Sequence, residues 1–432
     1  MTPAPRFEDY ALHLAALRTA ALRAVDPAAA VRRSLSLADV ADAERVFVVG
    51  AGKAGWAMAE ATADILGHRL TAGLVSVPKA RRPGLERVKF IEGGHPVPTA
   101  GTLAAGQALA DLLGQARLTE RDLVIALISG GGSALLELPR AGLSLDDLQA
   151  TNTVLLKCGA AIQEINLVRQ QLSEIKGGGL LRLARPARVL GLILSDVVGN
   201  PLHLIASGPT VPTRTMPADA LAIIEKYRLG PSLTPAVRQC LERTRAKADD
   251  ANVQVVANRL VASNRQAGEA AAGEAGALGF AARWVADDWQ GEARAAGQRF
   301  AELLLGASTQ PVGAPAAGQR AFVVGGETTV VVRGRGKGGR NQEVALAAAL
   351  AIAGRPNIAV GTLATDGIDG PTEAAGAVVT GDTLARARAL GLDSRAYLDD
   401  NNVFPFFAAL GDLVVIGPTG TNVNDLIFGL VY

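Results

Sequence analysis

Val46-Phe47-Val48-Val49 runs straight into Gly50-x-Gly52-x-x-Gly55 and then into an alanine-rich helical pattern. Further apolar runs follow at 73–77, 123–128 and 189–194. They alternate with helical patterns at 53–66, 101–114, 146–168 and 217–228. Strand, turn and helix in alternation predict a parallel, doubly wound α/β sheet. On such a sheet ligands bind beyond the carboxyl ends of the strands. The glycine turns after Val49 and Ile128 fall at those ends.

At 432 residues the chain exceeds one ordinary core, so two domains are expected. We place them at 1–250 and 251–432, the boundary falling where 230–255 turns polar and charged. A helix is expected at 11–25. The second block opens with strands at 253–257 and 282–286 and helices at 265–279 and 292–306. A Pro/Gly/Ala loop follows at 308–319. Then 321–334, 357–370 and 412–426 each read as a strand entering a polar, glycine-rich turn. Aromatics are only 4% of the chain, so its cores must be built from Ala, Val, Leu and Ile. A net charge of +2 without a basic run argues against a dedicated nucleic-acid binder. Cys158 and Cys240 have no metal-ligand spacing and read as thiols in a reducing compartment. The start lacks the pattern of a signal peptide, and no apolar run approaches the ~18 residues of a membrane span. The expectation is a soluble, cytoplasmic protein with no membrane partner.

Several stretches carry chemistry. Gly50-x-Gly52-x-x-Gly55 has dinucleotide spacing, but Lys53 sits inside it. The acidic residue that would bind a ribose is missing after the second strand, where Lys79, Arg81 and Arg82 stand instead. An anion site at a helix start, charged by Lys53, competes with a nicotinamide site and with a plain turn. Ser129-Gly130-Gly131-Gly132-Ser133 exposes consecutive amides, with two hydroxyls expected to donate to the same anion. Glu164, Asn166, Arg169 and Lys176 fall on a helix and its exit, with a solvated face as the competing reading. Gly177–Gly179 reads as a helix cap or a strapping loop. Asp196 ends a strand and suits a proton acceptor or a Mg²⁺ ligand, or else a turn cap. Ser207 lies in a ligand-type loop, Ala206-Ser-Gly-Pro-Thr210.

In the second block Glu327 ends a strand. Residues 334–343 read as a flexible glycine loop that carries Arg335, Lys337 and Arg340 and ends in Asn341-Gln342-Glu343, a basic, mobile loop suited to a polyphosphate or its transition state. Asp366 and Asp369 stand three apart among glycines, suited to Mg²⁺ or a turn. Thr419, Thr421, Asn422, Asn424 and Asp425 fill the last polar turn. None of His13, His68, His95 and His203 pairs with a carboxylate motif, and His95 reads as a turn residue before Pro96.

Taken in order, GAGKA (50–54), EGGHPVP (92–98), SGGGSALL (129–136), EINLVRQQLSEIKGG (164–178), LSDVVGN (194–200), ASGPT (206–210), GGETTV (325–330), GGRNQE (338–343), ATDGIDGPT (364–372) and GPTGTNVNDL (417–426) resemble one family. It is the two-domain glycerate 2-kinases with a C-terminal MOFRL domain, a family whose members also go under the name hydroxypyruvate reductase. The resemblance implies an N-terminal Rossmann-like doubly wound sheet, a C-terminal α/β MOFRL domain and an active site in the cleft between them. It implies transfer of phosphate from ATP, with Mg²⁺, to the 2-hydroxyl of D-glycerate. Lys53 and Arg340 become the charged residues facing each other across that cleft, and Asp196 the base or a metal ligand. Asp366 becomes a second metal candidate. Phosphate and substrate contacts fall to Gly52, Ser129, Gly130, Gly131, Gly132, Ser133, Arg169, Lys176, Ser207, Glu327, Asn341, Thr421 and Asn422. Gln170-Gln171 departs from the family, which has a basic residue or histidine beside the arginine. A homodimer is the candidate assembly. An NADP-dependent reductase is the competing enzyme, and a sugar-phosphate sensor without turnover the competing non-enzyme. Alanine at Lys53 or at Arg340 is expected to remove activity while leaving melting nearly unchanged.

Overall fold

In the computed structural model, residues 4–80, 84–212, 215–243, 254–308 and 318–432 are described. Arg81 and Arg82, the charged boundary at 244–253 and most of the 308–319 loop lie outside them. The chain forms two compact units, Pro27–Val261 and a second that joins residues up to Asp26 with Ala262–Tyr432. The first 26 residues therefore do not belong with the N-terminal domain, as the 1–250 division has it.

The Pro27–Val261 unit is built on a six-stranded sheet: β1 (Val46–Ala51), β2 (Leu70–Val77), β3 (Val88–Glu92), β4 (Leu123–Ile128), β5 (Arg188–Leu194) and β6 (Val255–Ala262). Their spatial order is β3-β2-β1-β4-β5-β6. The β2–β3, β1–β2, β1–β4 and β4–β5 pairings are parallel. β1 and β4 are buried along their full length, as strands covered on both faces must be. Phe47, Val49, Leu74, Leu109, Val124 and Ile193 fill the core on one side. The strand expected at 253–257 is real but belongs here as β6, the last strand of this sheet. The helix expected at 146–168 is two, Leu145–Lys157 and Ile162–Gln171. Gly159 separates them at φ +75, a left-handed residue that ends the first helix. Both pack with Pro217–Lys226 and Pro235–Arg243 around Leu155, Val168, Ile224 and Leu241.

The second unit has strands β7 (Ala281–Glu292), β8 (Arg320–Thr329), β9 (Ile358–Ala364), β10 (Gly376–Thr380), β11 (Leu413–Val414) and β12 (Asp425–Val431). Their order is β11-β10-β9-β12-β8-β7. Among the described residues of this unit only β7 and β8 pair in parallel; β12 runs antiparallel to both β8 and β9. Phe300, Leu346, Phe406, Phe407 and Val360 form the centre of its core. The helix Tyr10–Ala24 buries Leu14, Leu17 and Ala21 and packs with the helix Asn264–Ala277. Among the described residues no helix is long and apolar enough to cross a membrane.

Candidate functional site

The strand order β3-β2-β1-β4 reverses direction between β1 and β4. That is the switch point where open α/β sheets bind ligands. Both glycine turns lie there, because Ala51 pairs with Ile128 at the ends of the two strands. The turns are stitched to each other. Lys53 N–H donates to Gly130 O (2.9 Å), Ser129 N–H to Ala51 O (3.1 Å), and Ala54 N–H to Ser129 Oγ (3.1 Å). Ser129 is buried, and in this stitch its hydroxyl oxygen only accepts, which leaves its O–H uncommitted. Gly52 has φ +146, and a Cβ there would overlap Ser129 Oγ. Gly52→Ala is therefore expected to cost more than ~1–3 kcal/mol of stability, read as a lowered melting temperature. A variant melting like the parent would show that the two loops do not depend on this contact.

Around the second turn three titratable side chains gather. Lys53 is exposed at the start of the helix Gly55–Leu66. His95 lies on Gly131, whose added Cβ would stand 2.7 Å from the imidazole Cδ2 and 3.4 Å from Lys53 Cγ. The Asp196 carboxylate covers Gly130, leaving no room for a Cβ. Burial raises the Asp196 pKa above the usual carboxylate range, and Lys53 pulls it back. Burial lowers the His95 pKa, and Lys53 lowers it further. Among the described residues the N–H groups of Gly130 and Gly131 have no hydrogen-bond partner, so the loop offers amides to an anion. His95 is the residue that sequence reasoning missed. It lacks a carboxylate partner, but it is the fixed histidine of the EGGHPVP stretch.

Beside this loop is a cavity of about 70 Å³, lined by Ser133, Glu137, Asn152, Arg169, Lys176 and the two prolines Pro96 and Pro98 among others. It brings Ser133, Arg169 and Lys176 together. Arg169 Nε donates to Asn152 Oδ1 (2.7 Å). Burial lowers the pKa of its guanidinium and Glu137 opposes that. Lys176 is buried in an ion pair with Glu137, which also accepts from Ser173. Ser207 Oγ donates to Asn166 Oδ1 (3.0 Å) and must therefore accept from Ser133 Oγ (2.9 Å). Ser133 thus presents lone pairs, not a proton, to a ligand. Gln170 donates to Ser207 O (3.2 Å), and Gly177 and Gly178 N–H groups bind Ser207 O and Gly208 O. The 177–179 glycines are the strapping loop of the two alternatives.

In the second unit β12 begins at Asp425, opposite Gly326 near the end of β8 and Ala364 at the end of β9. Glu327, Asp366 and the 417–424 turn share that edge. Arg340, first residue of the helix Arg340–Ala351, binds Asp425 through Nε (2.5 Å) and Nη2 (3.1 Å) and Glu327 through Nη1 (3.2 Å). Burial works against the Arg340 charge, but these two carboxylates outweigh it. Burial raises the Asp425 pKa and Arg340 lowers it. Arg340 is thus the cation of the buried Asp425, so alanine there is expected to destabilise the fold as well as remove activity. Asp369 caps the same helix, accepting from Asn341 N–H (3.0 Å) and Gln342 N–H (2.9 Å). Burial pushes it up to about 6 against those amides. Asn341 is buried beneath this cap. Thr421 Oγ1 donates to Val25 O (2.9 Å), and Asn422 Oδ1 accepts from Asn424 N–H (3.1 Å). Thr421 ties the turn to the end of the helix Tyr10–Ala24, and Asn422 holds its own turn. The 334–339 loop, read as mobile, is fastened to residues 400–402.

Mg²⁺ usually takes one or two carboxylates, with water and phosphate oxygens completing the shell. Asp366 is half-buried, with Oδ1 accepting from Ile368 N–H (3.1 Å), and Asp196 is a single carboxylate at its loop. Each fits that sparse donor set. Among the described residues no three potential ligands cluster into an all-protein metal cage.

A Rossmann strand order with a lysine-bearing glycine turn, followed by a MOFRL-type sheet, defines a two-domain sugar-acid kinase fold, and the chain belongs to the glycerate 2-kinase family. Residues 13–242 match the family described as a domain of unknown function, DUF4147, and 320–425 match the MOFRL family. A D-glycerate 2-kinase of Thermotoga maritima is 39% identical over 95% of each chain. A putative hydroxypyruvate reductase of Agrobacterium vitis is 43% identical over 88% of this chain and 98% of its own. The crystal structure of the Thermotoga maritima glycerate kinase superposes with a TM-score of 0.89 at 37% identity, covering 98% of this chain and all of the other.

Proposed function

We propose that this chain transfers the γ-phosphoryl group of ATP to the 2-hydroxyl of D-glycerate, giving 2-phosphoglycerate and ADP. One observation carries the reading. A lysine, a histidine and a buried carboxylate surround an open glycine loop at the switch point, next to a small cavity lined by Arg169. Phosphoryl transfer needs positioning and positive charge, not a covalent nucleophile, and that is what these residues offer.

Asp196 takes the proton of the attacking hydroxyl, its basicity raised by burial. Lys53 and Arg340 stabilise charge on the transferred group. Arg169 and Lys176 hold the glycerate carboxylate, and the amides of Gly130 and Gly131 face the anion. Bound Mg²⁺, held by Asp196 or Asp366, would neutralise charge on the phosphates. Glu327 serves by holding Arg340, while Gly52, Gly132, Ser207, Asn341, Thr421 and Asn422 shape the turns. A cytoplasmic setting follows from the need for ATP, and light scattering tests the homodimer.

Asp196→Asn is expected to lower kcat by about 10²–10⁴-fold. If the variant keeps the parental kcat and changes only its Mg²⁺ requirement, Asp196 is a metal ligand and not the base. The reaction itself is tested by coupling to enolase, which consumes 2-phosphoglycerate directly. Immediate signal supports the reading; signal only after adding phosphoglycerate mutase means 3-phosphorylation and overturns it. The Rossmann order and the name of the Agrobacterium vitis relative favour the NADP-dependent reductase as second reading. β2 ends at Val77 and is followed by Pro78-Lys79 with no acidic residue for a ribose, which counts against NAD but is compatible with NADP, so the assay decides. Hydroxypyruvate with NADPH should leave the nicotinamide absorbance unchanged, and steady oxidation would decide for the reductase.

A further inference from the structure

From Arg333 to Gly338 cations and glycines alternate. The structure supplies the cause. This stretch lies directly on residues 400–403. A Cβ on Gly334 would overlap the Asp400 backbone, and one on Gly336 would overlap Asn402. At Gly338 it would meet Val403 Cγ2 at 2.5 Å. Only glycine permits so close an approach at these positions. Three consecutive side chains then grip the stretch by its amides. Asn401 Oδ1 accepts from the N–H groups of Arg333 (2.7 Å) and Gly334 (2.9 Å). Asp400 Oδ1 accepts from Arg335 N–H (3.0 Å), and Asn402 Oδ1 from Lys337 N–H (3.0 Å). Phe404 N–H donates to Lys337 O (2.9 Å).

The residues between the glycines are left exposed, so Arg333, Arg335 and Lys337 stand out as a comb of three cations on a fixed backbone. Lys337 has Glu373 at 3.3 Å and the Phe404 ring beneath it. Among the described residues neither Arg333 nor Arg335 has an ion-pair partner. Two unpaired guanidinium groups held in place suit an anion with several phosphate oxygens, which arginine binds bidentately. Fixing the backbone in advance spares the ordering cost of binding.

We infer that this comb takes the polyphosphate chain of the nucleotide and that Asn401 positions it. The inference rests on the kinase reading above. Asn401 is suited to the task because its two ends differ. Its oxygen holds the comb, while its Nδ2 donates to Glu343 Oε1 (2.7 Å) and Val331 O (3.3 Å). Glu343 is buried and bound to Arg294 Nε (2.9 Å). Asn401→Asp keeps the shape and the acceptor but sets a second carboxylate against Glu343. Asn401 has φ +54, a conformation aspartate also tolerates, so the backbone is not the variable. Adding Glu343→Gln restores a donor between the two side chains and leaves Arg294 an amide oxygen in place of the Glu343 carboxylate. The pair of substitutions moves the negative charge from position 343 to position 401 and rebuilds the bond between them with donor and acceptor exchanged, giving up only the longer bond to Val331 O.

The experiment measures KM for ATP, KM for D-glycerate, kcat and melting temperature in four proteins. Arg333→Gln with Arg335→Gln should raise the ATP KM about tenfold or more, as loss of charge-assisted contacts requires. Its glycerate KM and melting temperature should match the parent. Asn401→Asp should also raise the ATP KM, and Asn401→Asp with Glu343→Gln should return it to within about threefold of the parent. An ATP KM within twofold of the parent in the arginine double variant overturns the inference. So does a rise confined to the glycerate KM. If Asn401→Asp does not fold, the exposed arginine pair decides alone. A parent protein that makes no 2-phosphoglycerate would sink the kinase reading instead. In that event ADP titration of the arginine variant by calorimetry tests the comb without turnover, equal affinity for parent and variant refuting it.

Discussion

Lys53→Ala is expected to lower kcat by about 10²–10³-fold while the melting temperature stays within the change of an ordinary surface substitution. The side chain is exposed, and its fixed part is the backbone: Lys53 N–H on Gly130 O keeps the loop in place whatever the side chain. Residual activity carries a second signature. Lys53 holds the Asp196 pKa down against burial. Without that charge the Asp196 pKa rises, so more of it is protonated at a given pH. The acid limb of the kcat/KM profile should therefore move to higher pH. A folded variant with parental kcat would remove Lys53 from the chemistry. An unshifted acid limb would separate Asp196 from it.

Arg340→Ala should fail differently. Removing the guanidinium leaves Asp425 buried without its cation, a loss of about 3–5 kcal/mol. For a unit of this size that is a fall of roughly 6–20 °C in melting temperature, together with loss of turnover. Arg340→Ala combined with Asp425→Asn removes the orphaned charge. Melting should then recover most of the way while turnover stays low. If both recover, Arg340 is only a structural partner of Asp425. If the single variant melts like the parent, the pair contributes nothing to the fold.

These two cations show what a sequence can and cannot disclose. Lys53 was legible because its environment is local: a strand, a glycine turn and a helix within one short stretch. The same locality made β1, β4 and β5 and their turns readable, and the ordered motifs identified the family. The partner of Arg340 is 85 positions away, so no periodicity marks it. Asp425 opens a strand and reads as a turn residue until register sets it opposite Gly326. Residues 400–402 likewise look like a helix end, and their grip on the cation comb exists only in three dimensions. The glycines at 334, 336 and 338 suggested mobility because composition reports backbone freedom. It does not report whether another backbone lies against them. His95 was set aside for want of a carboxylate, although here its setting comes from Gly131 and Lys53.

The helix Tyr10–Ala24 belongs to the unit that is completed last. During synthesis it leaves the ribosome ahead of residues 27–261, and its main partner, Asn264–Ala277, is made only after them. Its apolar side, Leu14, Leu17 and Ala21, must meanwhile stay uncommitted while the whole of 27–261 emerges and folds. Topologically the Rossmann-like unit is an insertion, with one chain entry and one exit, between the first helix of its neighbour and the remainder. Nascent chains arrested once residue 262 has just cleared the ribosomal exit tunnel should therefore carry a folded middle and a protease-sensitive N-terminus.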